Sequence, residues 1–224
     1  MTFSIVARCA ETGMFGVAVA SSSPAVAARC AYARPGVGAV ASQNVTDPRL
    51  GERALDLMAL GASAPEAIAI LRATGAHMEH RQVTAVDGAG RAAVHSGPAA
   101  LGLWAEATGE NAACGGNLLA HEGVPRAMLD AFLAASGGLG DRLVAALKGG
   151  LESGGEAGPV RSAGLKLVRD VSWPVADLRV DWSESRPVAE LDALWRFYAP
   201  QLDAYVTRAL DPRAAPAFGV PGDP

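Results

Sequence analysis

Thr2 is the first residue whose type and position could do chemistry, because it follows a methionine at position 1. Threonine is generally small enough for an initiator methionine before it to be removed, which leaves a hydroxyl and a free α-amine on one residue. An α-amine has a pKa of roughly 7.7–8.0. It is therefore partly neutral at physiological pH and can serve as general base for the hydroxyl. This pattern indicates an N-terminal threonine nucleophile, although any chain that begins Met-Thr shares it.

A second candidate is the glycine pair at 115 and 116 with Asn117, which lies between a predicted strand and a predicted helix. Paired glycines let backbone N–H groups point into one concavity that binds anions. The Asn117 side chain adds an amide donor. Gly116 and Asn117 thus have the composition of an oxyanion hole, while an ordinary glycine-rich turn would have the same composition.

Three more polar residues stand where predicted strands end: Ser21, Gln43 and Asn44. Ser21 could donate a hydrogen bond to a nucleophile on the neighbouring strand, or could simply be part of a polar strand end. The amide side chains of Gln43 and Asn44 could orient an amide substrate. Asn44 could equally be a turn residue, since asparagine tolerates turn conformations.

Two other motifs have the spacing of a metal site and of a dinucleotide site. Their surroundings do not fit either, so we expect no metal and no cofactor. His77 and His80 have the spacing of two ligands on one helix face, but Gly75 ends the helix before them and no third ligand is nearby. The run GVGAVA from Gly36 has the glycine spacing of a dinucleotide site. Such a site needs a strand before the glycines and a helix after them, whereas here the glycines precede a strand.

Composition excludes several classes of protein. Half of the residues are hydrophobic and the net charge is only −4, which excludes bulk disorder. Apolar stretches are broken well short of the ~20 residues that span a bilayer. No basic segment leads into an apolar core near residue 1, so we expect no secretory signal. With a pI near 5.6 and scattered basic residues, we expect no nucleic-acid partner. Three widely spaced cysteines favour a reduced, cytoplasmic protein.

The hydrophobic pattern predicts strands in antiparallel groups and helices in pairs, in the order ββ(β), αα, ββ(ββ), αα, ββ, α. This order favours an α+β fold over a parallel doubly wound one. Alternation in the first strand places Thr2 and Ser4 on one face. Gly149 and Gly150 are expected to end a helix, and the glycine-rich segment 152–159 is expected to be a flexible loop. We expect one domain over 1–210 and a proline-rich tail over 211–224.

Most of residues 2–210 resembles a known family. The stretches that carry the resemblance are TFSIVARCAETGMFGVAVASSS, RPGVGAVASQNVTDPRLGERALDLMALGASAPEAI, QVTAVDGAGRAAVHSG and GGNLLA. In this order they look like the family catalogued as domain of unknown function 1028, which is grouped with the N-terminal nucleophile (Ntn) hydrolases. The resemblance implies a four-layer α-β-β-α sandwich of antiparallel sheets and hydrolysis of a small-molecule amide.

The resemblance also implies site residues. Thr2 matches the expected nucleophile, and Gly116 and Asn117 match the family's Gly-Asn pair. Ser21 and Gln43 match positions near the nucleophile in the general layout of Ntn hydrolases.

The chain departs from proteasome-type Ntn hydrolases in having no lysine on the third strand. Arg8, Arg34 or Arg49 could supply positive charge instead, and the sequence does not select among them.

Two functions are consistent with these observations. The first is a cytoplasmic amidohydrolase that acts through Thr2. The second is a non-catalytic metabolite-binding or assembly protein of the same fold, which retention of Met1 would favour because the Thr2 amine would stay in a peptide bond. The apolar helices could cover the interface of a homodimer.

Overall fold

The computed structural model describes residues 1–220, which form ten strands and seven α-helices. The strands are β1 (Thr2–Arg8), β2 (Phe15–Ser21), β3 (Ala31–Arg34), β4 (Gly38–Asn44), β5 (Arg81–Asp87), β6 (Ala92–Ser96), β7 (Ala105–Gly109), β8 (Ala112–Asn117), β9 (Ser162–Val168) and β10 (Ala176–Val180). The helices are α1 (Ala27–Cys30), α2 (Arg49–Ala59), α3 (Ala64–Thr74), α4 (Val124–Ala134), α5 (Leu139–Glu152), α6 (Pro187–Tyr198) and α7 (Leu202–Leu210).

The strands form two antiparallel sheets. The six-stranded sheet has the order β10-β9-β2-β1-β8-β7, and the four-stranded sheet has the order β3-β4-β5-β6. Strand β1 therefore lies in the middle of the larger sheet, between β2 and β8. A residue at the start of β1 is consequently flanked by the ends of two other strands.

Alternation along the strands produces four layers, because successive side chains point to opposite faces of a sheet. Phe3 and Ile5 of β1 belong to a core shared with α4 and α5, whereas Val6 packs between the two sheets. On the far side of the smaller sheet, Val40 packs with Leu50 of α2 and other residues of α2 and α3. The predicted α+β fold, a four-layer α-β-β-α sandwich of antiparallel sheets, is confirmed.

Helix α3 begins with a capping box. Ser63 Oγ accepts a hydrogen bond from the Glu66 backbone N–H at 3.3 Å, and a Glu66 carboxylate oxygen accepts one from the Ser63 N–H at 2.7 Å. This reciprocal pair satisfies two of the donors that a helix start leaves free.

The structure differs from the predicted elements in three places. Segments α1 and β3 were not expected from the sequence. Helix α5 continues through Gly149 and Gly150, because these glycines allow α4 to approach: a Cβ at 149 would lie 2.5 Å from the Ala131 Cβ. The single helix expected after residue 187 is two helices, separated by a short turn at Ala199–Gln201.

The ends and surfaces add little to the site. The expected tail over 211–224 contains one short 3-10 turn, Pro212–Ala214, and residues 221–224 lie outside the described part of the chain. Among the described residues, every helix is too short or too polar to cross a bilayer.

Candidate active site

Thr2 lies at the point where three strands of the larger sheet meet. It pairs with Ser21 at the end of β2 and with Asn117 at the end of β8. Its Oγ lies 3.2 Å from the Ser21 Oγ, and both side chains are buried. Both hydroxyls also donate to the carbonyl oxygen of Met1. The structure thus brings the predicted nucleophile into contact with the residue predicted to support it.

Three amide side chains form a hydrogen-bonded cluster between the sheets. Gln43 Nε2 donates to Gln82 Oε1 at 2.7 Å, and Asn117 Nδ2 donates to the same oxygen at 3.1 Å. Gln82 Nε2 donates in turn to the Ser96 hydroxyl at 2.9 Å and to the Gly116 carbonyl at 3.0 Å. Gln82 is therefore the hub of this cluster, and sequence analysis did not identify it.

Several buried polar atoms near this cluster have no hydrogen-bond partner among the described residues. They include the hydroxyls of Ser4 and Thr84 and the side-chain oxygens of Gln43 and Asn117. Strand alternation places all four side chains on the faces that look into the space between the sheets. Unpartnered polar atoms are uncommon in folded proteins and are found at functional sites, so this end of the inter-sheet space is the strongest candidate for the site.

Gly116 and Asn44 are placed differently from the other predicted residues. Gly116 pairs with Phe3 and Ala105 on its two sides, and a Cβ there would lie 2.6 Å from a methyl of Leu119. The geometry therefore supplies a packing reason for this glycine, and its role in an oxyanion hole stays a prediction.

Asn44 has a positive φ of 72° at the end of β4. Its amide donates to the His80 carbonyl at 2.6 Å and accepts from the Leu101 N–H at 3.3 Å. These contacts tie two loops together and match the turn role that the sequence left open.

The three arginines considered as substitutes for a lysine contact other groups. Arg8 donates to the Asn111 side chain, Arg34 pairs with Glu52 and Asp56, and Arg49 pairs with Asp47. None of the hydrogen bonds or ion pairs in the described chain joins one of them to Thr2. A further basic side chain, Lys166, donates to the Ala31 carbonyl at 3.1 Å.

Two alternative sites have little support from the geometry. His77 and His80 are exposed and flank Glu79, and residues 1–220 contain no cluster of three or more His, Cys, Asp or Glu side chains able to hold a metal ion. Complete burial raises the pKa of the Cys114 thiol. A thiol held neutral in this way is a poor nucleophile.

Glu156 lies beside the candidate site, and sequence analysis did not identify it. It lies in the segment expected to be a flexible loop, yet it is only 5% exposed. Both carboxylate oxygens accept from the Ser22 N–H, at 3.0 and 3.1 Å. A bridge to Leu119 joins this segment to the chain just after β8. An acidic residue among glycines gave no sequence signal, because burial there depends on the distant strand ends.

Burial raises the pKa of Glu156 to about 7, against the opposing effects of the N-terminal ammonium and the Ser22 N–H. A carboxyl whose pKa is raised on folding binds more protons in the folded state than in the unfolded state, so stability falls as pH rises between its unfolded and folded pKa values. The window here runs from about pH 4.5 to about pH 7.

We expect Glu156→Gln to remove this slope, because glutamine keeps an oxygen for the Ser22 N–H and cannot ionise. The variant should unfold with a free energy higher than wild type by on the order of 3 kcal/mol at pH 8 and close to wild type at pH 4.5. Urea unfolding at several pH values measures the difference. If the free energy of unfolding changed with pH in the same way in the wild type and the variant, the raised pKa of Glu156 would be contradicted.

Comparison with known proteins decides the family. A sequence profile described as "Family of unknown function (DUF1028)" matches residues 2–191. The chain belongs to the DUF1028 family. Protein SPO2555 from Silicibacter pomeroyi, another DUF1028 protein, has a crystal structure that superposes with a TM-score of 0.82. The two chains are 27% identical, over 88% of this chain and 89% of that one.

More distant resemblances of this DUF1028 chain are to two Anbu structures. Anbu from Hyphomicrobium sp. strain MC1 gives a TM-score of 0.40 at 11% identity, over 90% of this chain and 97% of that chain. Anbu (ancestral beta-subunit) from Yersinia bercovieri gives 0.37 at 12% identity, over 91% of this chain and 97% of that chain. No curated protein matches the chain.

Proposed function

We propose that this DUF1028 protein is an Ntn-type hydrolase that cleaves a small amide, with Thr2 as its nucleophile. The observation that carries the proposal is the Thr2 hydroxyl, which lies 3.2 Å from the Ser21 hydroxyl at the junction of three strand ends. The proposal requires removal of Met1, because only then does Thr2 carry a free amine.

In the first half of the reaction, the neutral α-amine of Thr2 accepts the hydroxyl proton as Oγ attacks the amide carbonyl carbon. The C–N bond of the tetrahedral intermediate then breaks, and the leaving nitrogen takes the proton from the Thr2 ammonium. This step leaves an ester between the acyl group and Thr2 Oγ.

In the second half, water attacks the ester carbonyl while the α-amine takes one water proton. Collapse of this intermediate returns a proton to Oγ and releases the carboxylic acid. Ser21 donates a hydrogen bond to Thr2 Oγ when Oγ is negatively charged, which favours ionisation of the nucleophile.

Asn117 supports the same reaction through its side-chain amide. Its Nδ2 carries two N–H groups, and one bond is made to Gln82 Oε1 at 3.1 Å. In the proposal, the second N–H stabilises the oxyanion. A single donor of this kind contributes roughly 10²–10³-fold to the rate of acyl transfer.

The test is the intact mass of untagged protein, recorded before and after incubation with a β-lactone acylating probe. We expect a mass lower by one methionine and a single adduct on Thr2, because the free hydroxyl and amine together open the lactone ring. A mass that retains methionine and shows no adduct would remove nucleophile and base together. That result would favour the metabolite-binding or assembly function instead.

A further inference from the structure

Glu156 is a buried carboxylate without a lasting counter-charge. Within residues 1–220, no Lys, Arg or His side chain forms an ion pair with it, and its carboxylate oxygens accept from the Ser22 N–H. Arg161, on the same loop, pairs with Glu184 at 2.9 Å instead. Burying an unpaired carboxylate is costly, which suggests that a cation meets it during function.

The N-terminal ammonium of Met1 lowers the pKa of Glu156, against the larger effect of burial. The rest of Met1 is held at two other points. Its carbonyl accepts from the Thr2 and Ser21 hydroxyls. Its side chain lies against Gly158, where an added Cβ would be 2.9 Å from the Met1 Cε.

Met1 is an aminoacyl group held beside the proposed nucleophile, on the nitrogen of Thr2 rather than on its hydroxyl. Its carbonyl carbon is joined to the Thr2 nitrogen, and its carbonyl oxygen faces the hydroxyl that would attack a substrate. The methionine therefore shows how an aminoacyl group fits here. Its carbonyl lies at Thr2 and at Ser21, the residue before the Ser22 N–H that Glu156 accepts from, and its side chain lies at Gly158, two residues after Glu156.

We propose that the space that Met1 occupies binds the acyl part of the substrate, and that the Glu156 carboxylate binds an ammonium group on that part. The substrate class is then an amide of an α-amino acid with a free amino group. This inference rests on the proposed function, because it assigns the acyl-side specificity of the same Thr2 site.

The test compares two competitors for β-lactone labelling of Thr2: L-methionine amide and N-acetyl-L-methionine amide. They differ in the charge of the α-nitrogen and in the acetyl group. Either cleavage or simple occupancy of the site slows labelling, so the assay does not require turnover. We expect the free-amine amide to protect Thr2 at a concentration at least tenfold lower than the acetylated amide.

Two variants test whether the charge of Glu156 causes the difference between the two protecting concentrations. Glu156→Gln keeps the shape of the side chain and removes its charge, and it should bring the two protecting concentrations to within about twofold of each other. Glu106→Gln is the matched control. Glu106 is also an acid whose pKa is raised by burial, but it lies on β7, two strands from β1. This control should keep the wild-type ratio.

The outcomes separate the two proposals. Labelling of Thr2 with equal protection by both amides, or with protection by neither, would overturn the ammonium site and leave the nucleophile in place. A tenfold ratio that survives in Glu156→Gln would also overturn it. Absence of labelling at Thr2 in the wild-type protein would overturn the proposed hydrolase itself.

Discussion

Replacing Thr2 by alanine should lower the rate of β-lactone labelling by roughly 10³-fold or more, because the variant has no hydroxyl to form the ester. Alanine is also small, so removal of Met1 should continue and the α-amine should still be exposed. The fold should survive, since the side chain lost from the processed protein makes one hydrogen-bond contact, to the Ser21 hydroxyl at 3.2 Å. We expect the free energy of unfolding to change by about 1 kcal/mol.

Two variants control this result. Thr2→Ser keeps the hydroxyl and should be labelled at the same position. Thr108→Ala removes the hydroxyl of an exposed threonine on β7, two strands away from β1. It should be labelled like wild type. Full labelling of Thr2→Ala, with the adduct on another residue, would refute the proposed nucleophile.

Replacing Gln82 by leucine should lower the free energy of unfolding by about 3–5 kcal/mol. Leucine is comparable in volume but one atom shorter, and it cannot make the hydrogen bonds that join Gln82 to Gln43, Asn117, Ser96 and Gly116. Each partner that stays buried without water or another donor or acceptor adds a desolvation cost of about 1–3 kcal/mol. Urea denaturation at neutral pH measures the change.

Thr84→Val is the matched control for Gln82→Leu. Thr84 is on the same face of β5, is fully buried, and has a hydroxyl without a partner among residues 1–220. Valine has nearly the same shape and no polar group to desolvate, so this variant should be as stable as wild type or more stable by about 1 kcal/mol. Equal destabilisation by both substitutions would show that packing volume, rather than the amide cluster, explains the Gln82 effect.

The sequence by itself determined the class of this fold. Period-2 alternation in β1 and helical periodicity in α2 to α5 are local properties, since they depend on which face of one element is apolar. They were sufficient to predict an α+β fold with antiparallel sheets, and they put Thr2 and Ser4 on one face. The Ser63–Glu66 capping box was readable for the same reason, because its partners are three residues apart.

Only the tertiary structure decided which polar residues belong together. Ser21 is 19 residues from Thr2 in the sequence, and Gln82 is 39 residues from Gln43. Strand pairing brings the two residues of each pair into contact. Glu156 lies 134 residues from the Ser22 N–H that it accepts from. The periodicity of one segment does not indicate which distant residues that segment will contact. Those contacts depend on the pairing of the strands and on the packing of the two sheets, which the whole core determines. The burial of the Glu156 carboxylate beside Ser22 therefore became visible only once the strand ends were assembled around it.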